Sequence, residues 1–267
     1  MQTLTQIDVR DVQAVYDGAE GDFWELVMGE QIHVGGLSAS KDLAERARIA
    51  PATIGVDLCC CSGAGMRFLV RFFDVGHVIG VDVTQRVVDR GRLRTRAEGL
   101  TSRIDFVVAD ATASGLASAS ADFVSAEDAW CYVADKALLV REAARIVRRG
   151  GTVAFTDWIA GPEPMTDEEA TRLLRFMKLP NIVTLDEYRS LLDEAGCDVE
   201  TARYTGRFAG HVDLYVDMLT MQLTYDALKL IDFDLELMQA LGAELAFLQR
   251  LAHQAKVSQG QFVARRR

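Results

Sequence analysis

Short apolar runs alternate with amphipathic segments through the middle of the chain. The runs cover residues 53–58, 78–83, 104–108, 121–126 and 151–157. Runs of this length that are bounded by turn residues are typical of strands buried on both faces. Between them, apolar residues recur at helical spacing, which predicts helices over 63–73, 85–98 and 137–147. Strands that alternate with helices indicate an α/β fold with a parallel sheet covered on both faces.

The pattern changes on either side of this alternating region. Residues 1–50 are helical in pieces, and Pro162 and Pro164 mark a break before a more helical second half. There the pattern predicts a helix and a strand within 185–206, nearly continuous helix over 213–255 and a last strand at 261–264. Such a helical segment would cover the carboxyl ends of the strands, where open α/β sheets bind ligands.

Composition excludes several classes of protein. The 267 residues carry a formal net charge of −10, which opposes binding to a nucleic acid backbone. No apolar run is long enough to span a bilayer, and the first residues do not resemble a secretion signal, so we expect a cytoplasmic protein without a membrane partner. The five cysteines are expected to be reduced thiols, because their number is odd and three of them are adjacent.

The stretch GVDLCCCSGAG at 55–65 raises the question of what three adjacent cysteines do. The spacing lacks the paired C-x-x-C ligands of a structural zinc site, so no metal is predicted. A turn that leaves a strand and opens a helix presents free backbone N–H groups, which suit an anionic ligand group. We therefore interpret the triplet as a substituted glycine loop, in which cysteine is tolerated if its φ is ordinary.

Asp82 ends the second predicted strand, which is the position that holds ribose hydroxyl groups in nucleotide sites. The alternative is that Asp82 only caps the following turn.

Several motifs together resemble a known family. VDLCCCSGAG, VIGVDVT, FVVADA, ADFVSAEDAW and IVRRGGTVAFTD have the order and spacing of the nucleotide-site motifs of class I S-adenosylmethionine (SAM) dependent methyltransferases. VYDGAEGDFWELVMGEQIHVGG resembles the amino-terminal lid of the sarcosine/dimethylglycine N-methyltransferases and of related small-molecule methyltransferases. The resemblance implies a Rossmann-like fold with a mostly parallel seven-stranded sheet. It also implies a lid at 1–50, a SAM-binding core at 51–160, and a remainder at 161–267 with a helical roof at about 211–255.

The resemblance also implies a SAM site at the strand ends. Asp57 would sit at its edge, the loop would pass the amino-acid end of SAM, and Asp82 would hold the ribose. Val83 and Asp110 would meet the adenine. The full set of implied cofactor-binding residues is His33, Gly35, Asp57, Cys59, Cys61, Gly63, Asp82, Val83, Asp110, Ala111 and Glu127. Cys59 and Cys61 depart from the family, which has glycines there, and Tyr132 stands where the family often has histidine.

The acceptor side offers fewer signals. His211 is predicted in the roof, as a base or a hydrogen-bond partner of the acceptor, although a histidine at a helix start can be a cap. Tyr132 is placed with it as a catalytic residue. Aromatic side chains could stack on an ammonium group or could be core residues, and Arg67 could pair with an acceptor carboxylate or face solvent. The predicted substrate-binding residues are Tyr16, Trp24, Trp130 and Arg67.

The main hypothesis is a SAM-dependent methyltransferase with a small-molecule acceptor. The lid favours a small amine such as sarcosine or dimethylglycine, and a natural-product hydroxyl, amine or carbon centre is the alternative. A SAM-binding protein without catalysis and a metal-thiolate sensor are hypotheses of other classes. The leucine- and methionine-rich second half could form a homodimer face, or the roof could bury it against its own sheet.

Overall fold

A twisted sheet flanked by helices organises residues 7–267, the part of the chain that the computed structural model describes. The strands in this part are β1 (Ile54–Leu58), β2 (His77–Asp82), β3 (Ile104–Val108), β4 (Ala121–Glu127), β5 (Val147–Ala160), β6 (Cys197–Tyr204) and β7 (Val257–Arg266). The helices there are α1 (Val9–Tyr16), α2 (Ala19–Met28), α3 (Gly36–Ala47), α4 (Ala64–Phe72), α5 (Gln85–Ala97), α6 (Lys136–Ile146), α7 (Asp167–Met177), α8 (Leu185–Glu194), α9 (Phe208–Thr220), α10 (Thr224–Leu230) and α11 (Leu235–His253). A short 3₁₀ turn covers Trp130–Tyr132.

The strand order is β3-β2-β1-β4-β5-β7-β6. Neighbouring strands from β3 to β5 run parallel, whereas β7 runs antiparallel to both β5 and β6. The chain winds outward in one direction from β1 and in the other from β4. A crevice therefore opens between the carboxyl ends of these two strands, which is where open α/β sheets bind ligands. The predicted α/β fold with a mostly parallel seven-stranded sheet is confirmed for the described residues.

The second half differs in detail from the predicted pattern. The segment expected to be one nearly continuous helix is three helices, α9, α10 and α11. The chain turns before α11 at Asp232 and Phe233, whose φ angles are 52° and 59°. These left-handed residues end helical geometry because a right-handed helix needs negative φ. Among the described helices, none is both long and apolar enough to cross a bilayer.

The roof and the lid share one apolar cluster at the carboxyl edge of the sheet. It joins Phe23 and Trp24 of α2 to Leu173 of α7, Val212 of α9 and Leu248 of α11. Leu219 and Leu245 of the leucine- and methionine-rich second half are buried in this cluster, as the roof hypothesis expects, whereas Met221, Leu235 and Leu237 are exposed. The homodimer and the domain boundaries remain predictions, and residues 1–6 of the expected lid lie outside the described residues.

Ion pairs join the lid helix α2 to the core helix α5. The Arg90 guanidinium lies 2.6 Å from an oxygen of Asp22 and 2.9 Å from an oxygen of Glu25. Arg94 also pairs with Glu25, and Arg86 lies 3.5 Å from Asp22. Arg90 and Glu25 keep only 25% and 18% of their side-chain surface exposed, so solvent screens this pair less than a pair on an open surface.

Replacing Arg90 with Gln should lower the free energy of unfolding by about 1 kcal/mol, because it removes the centre of an ion-pair network. For a chain of this size the midpoint of thermal unfolding should fall by about 3 °C. The loss should shrink in about 1 M salt, where screening is strong.

The matched control is Arg92→Gln on the same helix. Arg92 pairs with Asp89 of its own helix and donates to the Phe106 carbonyl of β3 at 3.1 Å; both contacts are exposed, so its loss should change stability by less than about 0.5 kcal/mol. Equal effects of the two substitutions would show that the contacts between α2 and α5 do not stabilise the fold.

Candidate functional site

A cavity of about 370 Å³ opens in the crevice at the carboxyl ends of β1 to β4. Its floor is formed by the segments that follow these strands, and its cover by α1, by residues 30–32 and by the 3₁₀ turn. The predicted site residues on its wall are Tyr16, Asp57, Cys59, Cys61, Asp82, Val83, Asp110, Ala111, Glu127 and Tyr132. The strand ends and the amino-terminal helix therefore converge on one space.

The loop after β1 has a backbone shape that normally requires glycine. The φ angles of Cys59, Cys61 and Gly63 are 69°, 49° and 74°, all in the left-handed region. The expectation that the cysteines occupy ordinary φ values is wrong for Cys59 and Cys61. Cysteine has a Cβ atom that this conformation crowds, at a cost of about 1–2 kcal/mol per residue.

Backbone hydrogen bonds hold the loop in this shape. The N–H groups of Cys59 and Cys60 both donate to the Val81 carbonyl, at 2.8 and 3.0 Å. The N–H of Cys61 donates to Asp82 Oδ2 at 2.9 Å. At Gly63 a Cβ atom would approach the Phe106 ring within 2.6 Å, so the third position of the loop must be glycine.

Carboxylates from neighbouring strand ends gather on the cavity floor. Besides its bond from the loop, Asp82 accepts a hydrogen bond from the Thr84 N–H at 2.9 Å. Asp110 accepts from both the N–H and the hydroxyl of Thr112, each at 2.7 Å. A Cβ atom built on Gly65 would lie 3.2 Å from Glu127 Oε2 and 3.5 Å from Asp57 Oδ2, so these two carboxylates lie close together beside the first turn of α4.

Burial changes the protonation of these groups. Desolvation raises the pKa of Asp57 well above its usual value, and the charges of Glu127 and Asp82 raise it further. Desolvation also raises the pKa of Asp82, against the hydrogen bonds that it accepts from backbone N–H groups. The floor of the cavity is therefore an electronegative surface that a cation would stabilise.

The same environment keeps the loop cysteines protonated. Burial raises the pKa of the Cys61 thiol to about 12, and it raises those of Cys59 and Cys60 well above the usual value, with Asp82 adding to each. Thiolates, which metal ions need as ligands, are thus disfavoured. Within residues 7–267 no group of three or more histidine, cysteine or acidic side chains could hold a metal ion. The metal-thiolate hypothesis has no support here.

Two tyrosines face each other across the cover of the cavity. The rings of Tyr16, at the end of α1, and Tyr132, in the 3₁₀ turn, meet edge to face with centroids 5.8 Å apart. Burial raises the pKa of both phenols. Tyr132 therefore keeps its proton near neutral pH, so it can donate a hydrogen bond but cannot act as the base.

Sequence comparison agrees with this geometry. A profile of the family described as "Methyltransferase domain" matches residues 56–155. Phosphoethanolamine N-methyltransferase 1 of Arabidopsis thaliana is 29% identical over 146 residues, which are 54% of this chain and 29% of that enzyme. The 27-O-demethylrifamycin SV methyltransferase of Amycolatopsis mediterranei (strain S699) is 28% identical over 219 residues, which are 77% of this chain and 80% of that enzyme.

A solved structure extends the agreement to the whole fold. A Galdieria sulphuraria protein, a candidate sarcosine dimethylglycine methyltransferase, superposes with a TM-score of 0.83 at 21% identity and covers 92% of this chain and 97% of its own. Residues 56–155 of this chain therefore match the methyltransferase domain, and the fold is that of the class I SAM-dependent methyltransferases. The chain spans less than a third of the Arabidopsis relative's length and four fifths of the Amycolatopsis relative's.

The cofactor of methyltransferases with this fold is SAM, and the cavity fits it chemically. SAM carries a sulfonium and an ammonium group, which complement the acidic floor. Glu127 Oε1 is buried without a hydrogen-bond partner among the described residues, so a ligand donor would satisfy it. Asp82 would hold the ribose, and Asp110 with Ala111 would hold the adenine. When bound, SAM supplies an electrophilic methyl group.

Two predicted acceptor-site aromatics lie outside the wall. Trp130 is fully buried, stacks on Phe155 with centroids 4.0 Å apart and donates from Nε1 to the Leu58 carbonyl at 3.3 Å. Trp24 belongs to the apolar cluster between lid and roof, against Phe23 and Phe176. Both are core residues, which corrects the prediction that they bind the acceptor.

Arg67 and His211 are also away from the cavity. Arg67 is only 3% exposed; it donates to the Ser62 carbonyl at 2.6 Å and pairs with Glu30 and Glu98 at 2.7 and 2.9 Å. It stabilises the loop, and its buried guanidinium is already paired with two carboxylates. His211 lies inside α9, and its Nδ1 lies 2.9 Å from the carbonyl oxygen of Arg207, one turn back. As the structure stands, neither side chain can contact an acceptor in the cavity.

Three predicted cofactor residues support the wall from behind. Gly63 shapes the loop, and Gly35 begins α3 with a φ of 105°, where a Cβ atom would lie 2.7 Å from that of Ala39. His33 is 1% exposed and contacts Ser40 rather than the cavity. Sequence analysis missed Ser40, and it also missed Val9 and Val12, which line the cavity together with Tyr16. Their i, i+3, i+7 spacing is a helical signal that could have been used.

Substituting Gly for Cys59 or Cys61 should raise the free energy of unfolding by about 1 kcal/mol each, because glycine relieves the left-handed strain. Urea unfolding under reducing conditions measures this gain. The control is Cys60→Gly: Cys60 is buried outside the left-handed region, so its loss should destabilise the protein. A gain from Cys60→Gly, or losses at Cys59 and Cys61, would contradict the strained loop.

Proposed function

We propose that this protein transfers a methyl group from SAM to a small-molecule acceptor that carries no anionic group. The acidic wall of the cavity is the observation that carries the proposal. Its carboxyl groups are Asp8, Glu30, Asp57, Asp82, Asp110, Glu127, Asp128 and Asp135. Among residues 7–267, no lysine, arginine or histidine lines it. An acceptor carboxylate or phosphate would enter this space with no basic side chain of the wall to pair with it, which is costly in a buried site.

The acidic wall favours one of the two acceptor classes that the sequence left open. Sarcosine and dimethylglycine carry a carboxylate, and phosphoethanolamine, the substrate named for the Arabidopsis relative, carries a phosphate. The favoured class is the second, a natural-product hydroxyl, amine or carbon centre. The Amycolatopsis relative, which aligns over most of both chains, is named for a 27-O-demethylrifamycin acceptor, and this name supports the same class. A cytoplasmic location stays a prediction.

The residues on the wall suggest how the chain assists the transfer. Tyr16 and Tyr132 can orient the acceptor by hydrogen bonds and by ring contact, which aligns the attacking atom with the methyl carbon. A neutral amine needs no base on the protein, whereas a hydroxyl group must lose its proton. Since the wall phenols stay protonated, the carboxylates of the wall are the candidates for that proton.

Cofactor affinity should fall as the pH drops from about 7 to about 5, while the SAM ammonium stays charged. Asp57 and Asp82 have raised pKa values in the free protein, and SAM needs their ionised forms. Lower pH therefore protonates the free site, and binding must release protons. Isothermal titration with S-adenosylhomocysteine in buffers of different ionisation enthalpy measures both effects.

The matched variant for this experiment is Asp57→Asn. It should bind more weakly at pH 7 and show a flatter pH profile, because the group with the most strongly raised pKa is gone. If the wild-type affinity is constant over this range, the acidic floor is not part of the cofactor site. If the wild type binds neither SAM nor S-adenosylhomocysteine, the proposed function fails.

The acceptor class can be tested with amines that differ only in charge. Dimethylglycine carries a carboxylate, whereas its methyl ester and dimethylaminoethanol present the same dimethylamine without one. We expect kcat/KM to be at least about tenfold higher for the compounds without a carboxylate. This ratio corresponds to the smallest free-energy cost of burying one unpaired charge. Methyl transfer from radiolabelled SAM is the measurement. A preference for dimethylglycine would overturn the proposed acceptor class, and SAM binding with no turnover on a wide acceptor panel would favour the non-catalytic alternative.

A further inference from the structure

A hydrogen-bond network connects the lid to the cavity floor behind the wall. Its centre is the Ser40 hydroxyl, in α3, which is 3% exposed. The hydroxyl oxygen lies 3.1 Å from Glu127 Oε2, 2.9 Å from Gln31 Nε2 and 3.1 Å from His33 Nε2. Residues from the lid and from the end of β4 therefore meet at one side chain.

The hydrogens of this network can be assigned from its chemistry. Glu127, when ionised, only accepts, so Ser40 uses its single hydrogen on Glu127 Oε2. The hydroxyl oxygen then accepts from the Gln31 amide and, when the imidazole carries a hydrogen on Nε2, from His33. The other ring nitrogen, Nδ1, lies 3.4 Å from the Val34 carbonyl oxygen. With the hydrogen on Nε2, Ser40 donates one bond and accepts two. Each partner fixes the direction in which the hydroxyl points, and the hydroxyl fixes Glu127.

Glu127 has a reason to be fixed. Its Oε2 is taken by Ser40, while its buried Oε1 lies 3.7 Å from His33 Nε2 and makes no hydrogen bond within the described residues. Asp57 Oδ2 and Glu127 Oε2 face the same point beside Gly65, since a Cβ atom built there would lie 3.5 and 3.2 Å from them. Two carboxylates this close repel each other, and a cationic ligand group between them would be held by both.

We propose that His33 and Ser40 are positioning residues that orient Glu127 toward the ammonium group of SAM. This inference rests on the proposed function, since it assumes that SAM occupies the cavity. It changes the role that family resemblance implies for His33. His33 does not contact the cofactor; it acts through the Ser40 hydroxyl on a carboxylate that does. The lid segment that carries Gln31 and His33 thereby forms part of the support of the cofactor site.

The test compares two ligands that differ in the group Glu127 would bind. S-Adenosylhomocysteine has the amino-acid chain of SAM, and 5′-methylthioadenosine lacks it. Ser40→Ala and His33→Leu should each weaken the binding of S-adenosylhomocysteine by at least about tenfold. This factor corresponds to the loss of one charge-assisted hydrogen bond. Binding of 5′-methylthioadenosine should change by less than about threefold, within the range of a substitution that touches no ligand. Isothermal titration of the full chain gives both affinities.

Three further variants sharpen the comparison. His33→Gln keeps a donor near Nε2 and should recover most of the lost affinity. Ser38→Ala removes another hydroxyl from α3, one that donates to the Gly35 carbonyl at 2.9 Å, and should leave both ligands unaffected. Glu127→Gln should reproduce the selective loss. Near-ultraviolet circular dichroism identifies any variant that fails to fold, in which case the remaining variants decide.

The possible results separate the inference from the proposed function. A selective loss of affinity for S-adenosylhomocysteine in the folded variants supports the positioning role. Equal losses for both ligands would mean that His33 and Ser40 only maintain the fold, and unchanged binding would mean that they do nothing for the site; either overturns the inference while the cofactor site stands. A wild-type protein that binds neither ligand overturns the proposed function itself.

Discussion

The structure depends on the crowding of carboxylates at one edge of the sheet. Parallel strands end on the same side, so acidic residues at the ends of β1, β2 and β4 are brought into one crevice. Asp57, Asp82, Glu127 and Asp128 meet there in a largely buried space. Burial raises the pKa of Asp57, the charges of Glu127 and Asp82 raise it further, and a cation is the ligand that offsets both effects. The need for a positively charged cofactor follows from topology before any family is named.

The surrounding backbone is arranged to hold these charges. Asp82 takes the N–H of Cys61, and Asp128 takes the N–H of Val34 at 2.8 Å and the Gln259 amide. A loop that turns its N–H groups inward in so few residues must pass through left-handed conformations. This requirement explains why glycine is expected at the loop, and why cysteine there is strained. The acids in turn keep the thiols neutral, so the cysteines stay inert beside a sulfonium.

The sheet and the acidic floor could be predicted from the sequence because both depend on position along the chain. Asp82 and Glu127 end their strands, and Asp110 is the second residue after β3. The strand pattern alone therefore placed them together. The φ values of Cys59 and Cys61 could not be predicted in this way. A cysteine carries no local preference that reveals a left-handed backbone, and the conformation is imposed by the bonds to Val81 and Asp82. The breaks between the roof helices were missed because they too are imposed by the surrounding structure.

Side-chain direction was the other limit. Trp130 and Tyr132 are two residues apart in a 3₁₀ turn. Each residue of such a turn advances by about 120° around the axis, so these two side chains also point about 120° apart. Trp130 consequently enters the core beneath β1 and Tyr132 enters the cavity, although both follow β4 and both are aromatic. His33 shows the same principle in the lid: its neighbours Gln31 and Ile32 line the cavity, while its own ring turns inward to Ser40. A motif fixes which segment approaches a ligand, but the local backbone decides whether a side chain touches the ligand or holds the residue that does.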